Sequence, residues 1–255
     1  MGADVHSMTE EFVLKVRIRF RKYSIMKYIG HLDILRYFQK CMRRAEIDIS
    51  YSGGFSPHQI MSFAAPLGVG LISDGEYLDI SVESSDSSKV SMEKLNSVMV
   101  PGIKITSYKK LDDKDKNAMS IVACADYYVY PKERIKLPSV DKLLQAKKDF
   151  YDEAKTILVT KQTKKSEKVM DLKALVYDFD ITTKDINGIA DNTCFYIKLS
   201  TGSVDNVKPE LFLKAFFDYM GVEFVETDYQ IHRLDLYCDR DGELISLSDT
   251  GEEIE

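Results

Sequence analysis

Long apolar runs are missing from this 255-residue chain. No stretch approaches the roughly 20 apolar residues of a membrane span, so no membrane association is expected. Residues 1–11 (MGADVHSMTEE) have neither a basic start nor an apolar run, and no signal peptide is predicted; Met8 offers an alternative start. Cysteine is scarce. Cys41, Cys124, Cys194 and Cys238 stand far apart in apolar or strand-like settings. That spacing predicts buried free thiols in a reducing cytoplasm rather than a disulfide framework. Without a CxxC, an iron–sulfur cluster or Cys-rich zinc site held by this chain alone is excluded. The histidines His6, His31, His58 and His232 form no HExxH and no pair at helical spacing. A metal site from His31 and His58 is the weaker reading, since metal ligands usually sit closer together. Walker, GxGxxG and GxSxG motifs are absent too, so no cofactor is expected.

What the chain does have is a local excess of positive charge. Residues 12–60 hold 10 Lys and Arg against 3 Asp and Glu, whereas the rest hold 25 against 38, a net −13. A basic segment in an acidic protein points to an anionic partner. Its first part, Lys15-Val16-Arg17-Ile18-Arg19-Phe20-Arg21, alternates strictly. As a strand it sends Val16, Ile18 and Phe20 to one face and the cations to the other.

The order of elements predicts the fold. After that strand, Ile34, Leu35, Phe38, Cys41, Met42 and Ala45 recur at helical spacing. Short strands follow near 47–51 and 60–64, separated by the loop Ser52-Gly53-Gly54-Phe55-Ser56-Pro57-His58. Then come a strand at 77–83, a helix to Val98 and a strand at 103–108. This is β-α-β-β-α-β, the ferredoxin-like unit. Lys109–Asn117 reads as a charged linker, and the order repeats. Strand 123–130 is followed by a long helix from Ser139 to about Val159, then strands 169–182 and 193–201. Helix 209–220 has Pro209 at its first position and Gly221 beyond its end, and strand 229–238 closes the half. The expected fold is α+β, two tandem ferredoxin-like halves with antiparallel sheets, at 12–110 and 118–246. Residues 1–11 and 247–255 are expected to be flexible termini.

In such a half both helices cover one sheet face, so Arg17, Arg19 and Arg21 are expected on the open face. Lys104, Thr106 and Tyr108 of the last strand are expected beside them. Such a face is similar to an RNA-recognition platform, although the first strand lacks the aromatic residues of that domain.

The series Tyr28-Ile29-Gly30-His31-Leu32-Asp33-Ile34-Leu35-Arg36, Arg43-Arg44-Ala45, Tyr51 to His58, Ser62-Phe63-Ala64 and Ser73-Asp74-Gly75-Glu76 resembles one family. It is similar to the bacterial radical-SAM-associated proteins, which stand alone or are fused behind a cobalamin-binding radical SAM domain. Some sit beside ribonuclease or ribosomal-protein genes. The resemblance covers about residues 13–110, and more loosely Lys164–Lys173 and the final strand. Ser56 stands where the family usually has Asn, and Gln59-Ile60 replace a Pro followed by a basic residue. The resemblance implies an accessory role linked to RNA or its modification, with Asp33, Pro57 and Glu76 as structural motif positions. A cobalamin-binding radical SAM protein is the partner it implies.

Each candidate residue also has a structural reading. The cations of the first strand form either a polyanion site or a charge ladder against Asp79 and Glu83, worth about 0.2–1 kcal/mol per cross-strand pair. His31 is either a proton donor or phosphate ligand, or a packed residue at a helix start. Asp33 favours that start electrostatically. Arg36, Lys40 and Arg43 share one helical stripe, with Arg44 beside it. Ser52, Phe55, Ser56 and His58 suit a phosphate or a splayed base, or an ordinary turn with Phe55 in the core. Lys164, Lys165 and Lys168 extend a positive track or lie on a solvated loop. The leading expectation is a non-catalytic RNA-binding module that presents rRNA or tRNA to a radical SAM enzyme. A protein-docking subunit is the first alternative. The other is a metal-independent RNA-processing enzyme, similar in architecture to RAMP endonucleases, using His31 or His58.

Overall fold

The computed structural model describes residues 13–132, 135–162, 167–186, 189–202 and 205–255. The β-α-β-β-α-β order is present in both halves, with an additional β-hairpin inserted in the second. The first comprises β1 (Leu14–Lys22), α1 (His31–Arg44), β2 (Met61–Phe63), β3 (Ile72–Val82), α2 (Ser88–Val98) and β4 (Ile103–Lys110). A short α3 (Ala118–Ile121) leads into the second: β5 (Val122–Pro131), α4 (Val140–Lys147), β6 (Leu158–Gln162), β7 (Glu167–Asp171), β8 (Val176–Ile186), β9 (Ile189–Ser200), α5 (Pro209–Tyr219) and β10 (Tyr229–Arg240). The chain ends with β11 (Glu243–Ser246) and β12 (Glu252–Glu253).

The two halves share one sheet, in the order β12-β4-β1-β3-β10-β5-β9-β8, with β2 and β11 paired to β3 and β10. The central strands are β1 and β3 in the first half and β5 and β9 in the second, as the ferredoxin-like order requires. Among the described residues all strand pairings are antiparallel except one. At the seam β3 meets β10 in parallel over Ile72–Ser73 and His232–Arg233. Because β2 takes only Leu78–Ile80 of the same β3 edge, the preceding stretch is left for β10.

Alternation explains the layers. Val16, Ile18 and Phe20 pack with Ile34, Phe38 and Met42 of α1 in the first core, where Phe20 and Phe38 have ring centroids 4.8 Å apart. In the second core Phe179, Phe195 and Ile197 pack under Phe212 and Phe216 of α5. Pro209 opens α5, and Gly221 follows it at φ 68°, a left-handed value suited to glycine. All four cysteines are free and buried.

Four expectations change. The predicted strand at 47–51 is reduced to two isolated bridges, Ile49 with Val82 and Tyr51 with Gln59. The predicted helix from Ser139 to Val159 ends early: α4 passes into a π-helical turn at Lys148–Asp152, and Leu158 already starts β6. The predicted strand at 169–182 is two strands, because Lys173–Leu175 forms a 3-10 turn between β7 and β8. The tail after Ser246 is not frayed. Leu247 is fully buried in the second core, and Glu252 and Glu253 pair with Lys110 and Lys109 of β4. Ile254 exchanges hydrogen bonds with Ser88. Apolar Leu247 and an unpaired β4 edge outweigh the tail's acidic composition.

Candidate nucleic-acid interface

The β1 cations alternate to the face opposite the helices, yet that face is not a free basic surface. Arg17 lies directly across from Asp79 in the β1–β3 register. It is 3% exposed and donates to both Asp79 oxygens at 2.8 Å, and to Thr250 Oγ1 at 2.7 Å. The linker and the ordered tail bury it, so it is removed from any RNA platform. Half-buried Arg19 reaches Asp235 at 3.6 Å and lies 6.0 Å from the Tyr77 ring. Arg21 remains partly exposed and donates through Nε to Asp74 at 2.6 Å. Tyr108 is not on this face. It pairs with Ile18, and directly paired residues share a face, so its ring is buried in the helix-side core. Lys104 and Thr106 are exposed.

Glu76 and its neighbours in Ser73-Asp74-Gly75-Glu76 build the seam. Glu76 is bidentate with Arg233, Asp74 accepts from His232 Nε2 at 2.9 Å, and Ser73 pairs with Arg233 in the sheet. A Cβ on Gly75 would come within 2.6 Å of Leu234 O and Asp235 Oδ1. That motif therefore reports contact between the halves. His232, Arg233 and Asp235 answer it from β10 and have no recognisable pattern of their own.

On the helix side, the other candidates meet. Buried Ile34, Phe38, Cys41 and Met42 orient α1 so that Arg36, Lys40, Arg43 and Arg44 are exposed. Arg36 contacts Asp33 of its own helix at 3.3 Å. Among the described residues, Lys40, Arg43 and Arg44 make no ion pair. The loop after α1 folds against it: buried Gln59 donates through Nε2 to Gln39 O at 3.3 Å and to Tyr51 Oη at 3.4 Å.

The loop neck is pinched. Ser52 N donates to His58 O, His58 N donates to Ser52 Oγ at 3.1 Å, and Ser52 Oγ lies 2.8 Å from His58 Nδ1. Ser52 thus engages Nδ1 and leaves Nε2 of the exposed ring without a hydrogen bond among the described residues. Gly54 has φ 95°, a conformation other residues rarely adopt. Beyond it, Phe55 is entirely exposed at 110%, so it does not plug the core. Ser56 and Pro57 are exposed beside it.

His31 is the first residue of α1, after the N-cap Gly30, and packs edge-on against Phe63 at 5.3 Å. Asp33 lies in the first helical turn, where a carboxylate is favourable. No groove joins Arg17 and Arg19 to Arg36, Arg43, Phe55 and His58, because α1 and the β1 cations occupy opposite faces of the sheet. Lys164 and Lys165 lie outside the described residues, and the side chain of Lys168 is likewise not described. No group of three or more His, Cys, Asp and Glu among the described residues is placed to hold a metal ion. No helix there is long and apolar enough to cross a membrane.

Comparison with known proteins adds the following. No curated protein matches the sequence significantly. A crystal structure of a Cbf5-Nop10-Gar1 complex is similar in fold at a TM-score of 0.47 and 12% identity, covering 92% of this chain and 53% of that one. The chain thus spans about half the length of the solved chain it matches. Residues 15–209 match the family described as "Uncharacterized protein conserved in bacteria" (DUF2344), and the chain belongs to that family.

Proposed function

We propose that the protein is a non-catalytic RNA-binding module whose interface is the exposed face of α1 together with the loop from Tyr51 to Ile60. The observation that carries this reading is the juxtaposition of the α1 cations with a wholly exposed Phe55 on a loop tied to the same helix. Cations without carboxylate partners are available to phosphates. Phe55 and half-exposed Tyr51 offer π-faces to unstacked bases. The exposed His58 ring adds Nε2 as a further contact for a phosphate oxygen.

The partner that would receive such RNA is a radical SAM modification enzyme, a proposal that rests on the sequence resemblance. A purely protein-docking role is the second reading, favoured by the apolar exposure of Phe55, Tyr51 and Ile60. An RNA-processing enzyme has less support, since Ser52 occupies His58 Nδ1 and His31 packs against Phe63.

The test is a gel-shift series with single-stranded RNA at low salt. The wild type is expected to bind, and the Arg36→Glu, Lys40→Glu, Arg43→Glu triple variant is expected to lose binding while staying folded. Capture of a radical SAM protein from nuclease-treated lysate, with no RNA binding by the wild type, would favour docking instead.

A further inference from the structure

We infer that the uncovered sheet face of the second half is a separate base-stacking platform for single-stranded RNA, formed by Tyr128, Tyr196 and Tyr237. This site shares its partner class with the α1 interface but not its residues.

The topology places these rings together. β5 and β9 are the two central strands of the second half, and Tyr128 and Tyr196 are direct partners in their register. The rings meet edge to face at 5.7 Å. Tyr237 stands on β10, the strand on the other side of β5. The helix-covered face is filled by Phe179, Phe195 and Ile197 under α5, whereas all three tyrosines are only half-buried. In a ferredoxin-like sheet, aromatic rings on the open side of the central strands are well placed to stack unpaired bases.

The rings are also held in place before any ligand arrives. Asp126 Oδ2 accepts from Tyr196 Oη at 3.2 Å and from Tyr237 Oη at 3.0 Å, while Asp126 Oδ1 accepts from Asp235 N at 2.9 Å. Burial, then the neighbouring Asp126 charge, push both phenols above their ordinary range, so they stay protonated donors at neutral pH. One carboxylate therefore fixes two rings without exposing an unsatisfied charge.

The two cations nearest the rings favour a nucleotide over a basic peptide. Lys184 Nζ lies 4.7 Å from the Tyr128 ring centre, and Lys198 Nζ lies 3.9 Å from that of Tyr237. An incoming arginine would meet like charge over two of the three rings. A nucleotide instead draws each flexible lysine to a phosphate and offers a base to the ring face it leaves. Exposed Asp178 and Asp180 on β8 repel phosphates along that strand, which confines the backbone contacts to the two lysines. The β1 and β5 strands thus differ. The first half's open face is occupied by its own ion pairs and tail, while the second half keeps its aromatic rings at the surface.

The direct test is photo-crosslinking of the full chain to a single-stranded oligouridine carrying 4-thiouridine, with the adducts mapped by mass spectrometry. Adducts on Tyr128, Tyr196 or Tyr237 are expected. Adducts confined to Phe55 and α1 would overturn the platform and leave the α1 interface standing; adducts confined to the platform would do the reverse. No adduct at either place would overturn both, and displacement of RNA from the tyrosines only by an arginine-rich peptide of higher affinity would assign the face to a basic partner.

A second measurement separates stacking from folding. Tyr128→Phe is expected to bind oligoadenylate as the wild type does, and Tyr128→Leu about tenfold more weakly. An abasic ribose-phosphate oligomer is expected to bind all three alike. Equal oligoadenylate affinity for Tyr128→Leu and wild type would contradict the platform; should Tyr128→Leu fail to fold, the crosslink map on the wild type decides.

Discussion

Arg233 of β10 grips Glu76 of β3 through two hydrogen bonds, Nε to Oε1 at 2.8 Å and Nη2 to Oε2 at 2.5 Å, with both side chains about 95% buried. The pair spans the seam between the halves. A third guanidinium bond, from Arg233 to Ala65 O at 2.7 Å, ties in the segment after β2. Lys22, also buried, donates to Ile29 O at 2.9 Å and has its pKa lowered by burial despite the Glu76 charge nearby. Removing one partner of a buried pair leaves the other charge uncompensated, which costs about 3–5 kcal/mol. Glu76→Gln is therefore expected to lower the unfolding free energy by that amount in a urea titration. A change below about 1 kcal/mol would mean the seam does not depend on the pair.

Gly75 is a steric requirement of the same seam. Its missing Cβ lets β3 approach the backbone of β10, and Ala there would press within 2.6 Å of Leu234 O. Since the obstacle is backbone, relief requires strand separation. Gly75→Ala is expected to lower Tm and to raise amide exchange selectively at residues 72–76 and 232–236. Unchanged exchange at those strands would contradict the close approach.

Asp74 gives the seam a pH dependence. The His232 hydrogen bond, followed by its charge and the Arg21 contacts, outweighs burial and holds the Asp74 carboxyl down to about 2. Its unfolded value is near 3.9. Because the folded pKa is depressed, the stabilisation is present above about pH 4 and is lost as pH falls towards 2. Asp74→Asn is expected to flatten the acid limb of stability between those values in urea melts. An identical acid limb in the variant would rule this out.

The ordered tail has a stability role. Leu247 is fully buried, and Thr250 Oγ1 accepts from Arg17 and donates to Leu247 O at 2.6 Å. Truncation after Ser246 removes a core leucine and uncovers Arg17, with an expected loss of at least about 2 kcal/mol. Unaltered denaturant midpoint and slope would show the segment to be dispensable.

Much of the fold was legible because it depends on local periodicity. The 2-residue period of β1 and the helical spacing of Ile34, Phe38, Cys41 and Met42 assign faces without knowledge of neighbours. The partners of those faces were not legible. Asp79 neutralises Arg17 from 62 residues away, and Thr250 covers it from 233 away. The acidic composition after Ser246 suggested a solvated tail because the value of Leu247 depends on a core that only the tertiary structure supplies. Tyr108 was misplaced for a similar reason, since the β1–β4 register shifts at Arg19–Phe20. On α1, exposure of the cations did follow from the apolar spacing, and the attachment of the loop through Gln59 did not. Tyr128, Tyr196 and Tyr237 escaped notice because they are isolated in sequence, with 67 residues separating the first two in their paired strands.

Under the proposed reading, α1 and its loop neutralise RNA phosphates. The measurement that tests it most directly is the slope of log K against log salt concentration for a single-stranded oligonucleotide, wild type against Arg36→Glu, Lys40→Glu, Arg43→Glu. Each phosphate neutralised contributes about −0.7 to the slope. Reversal of three contacting cations is expected to make the slope shallower by about 2 and to weaken binding at low salt. A slope and affinity identical to the wild type would contradict the assignment of this surface to RNA.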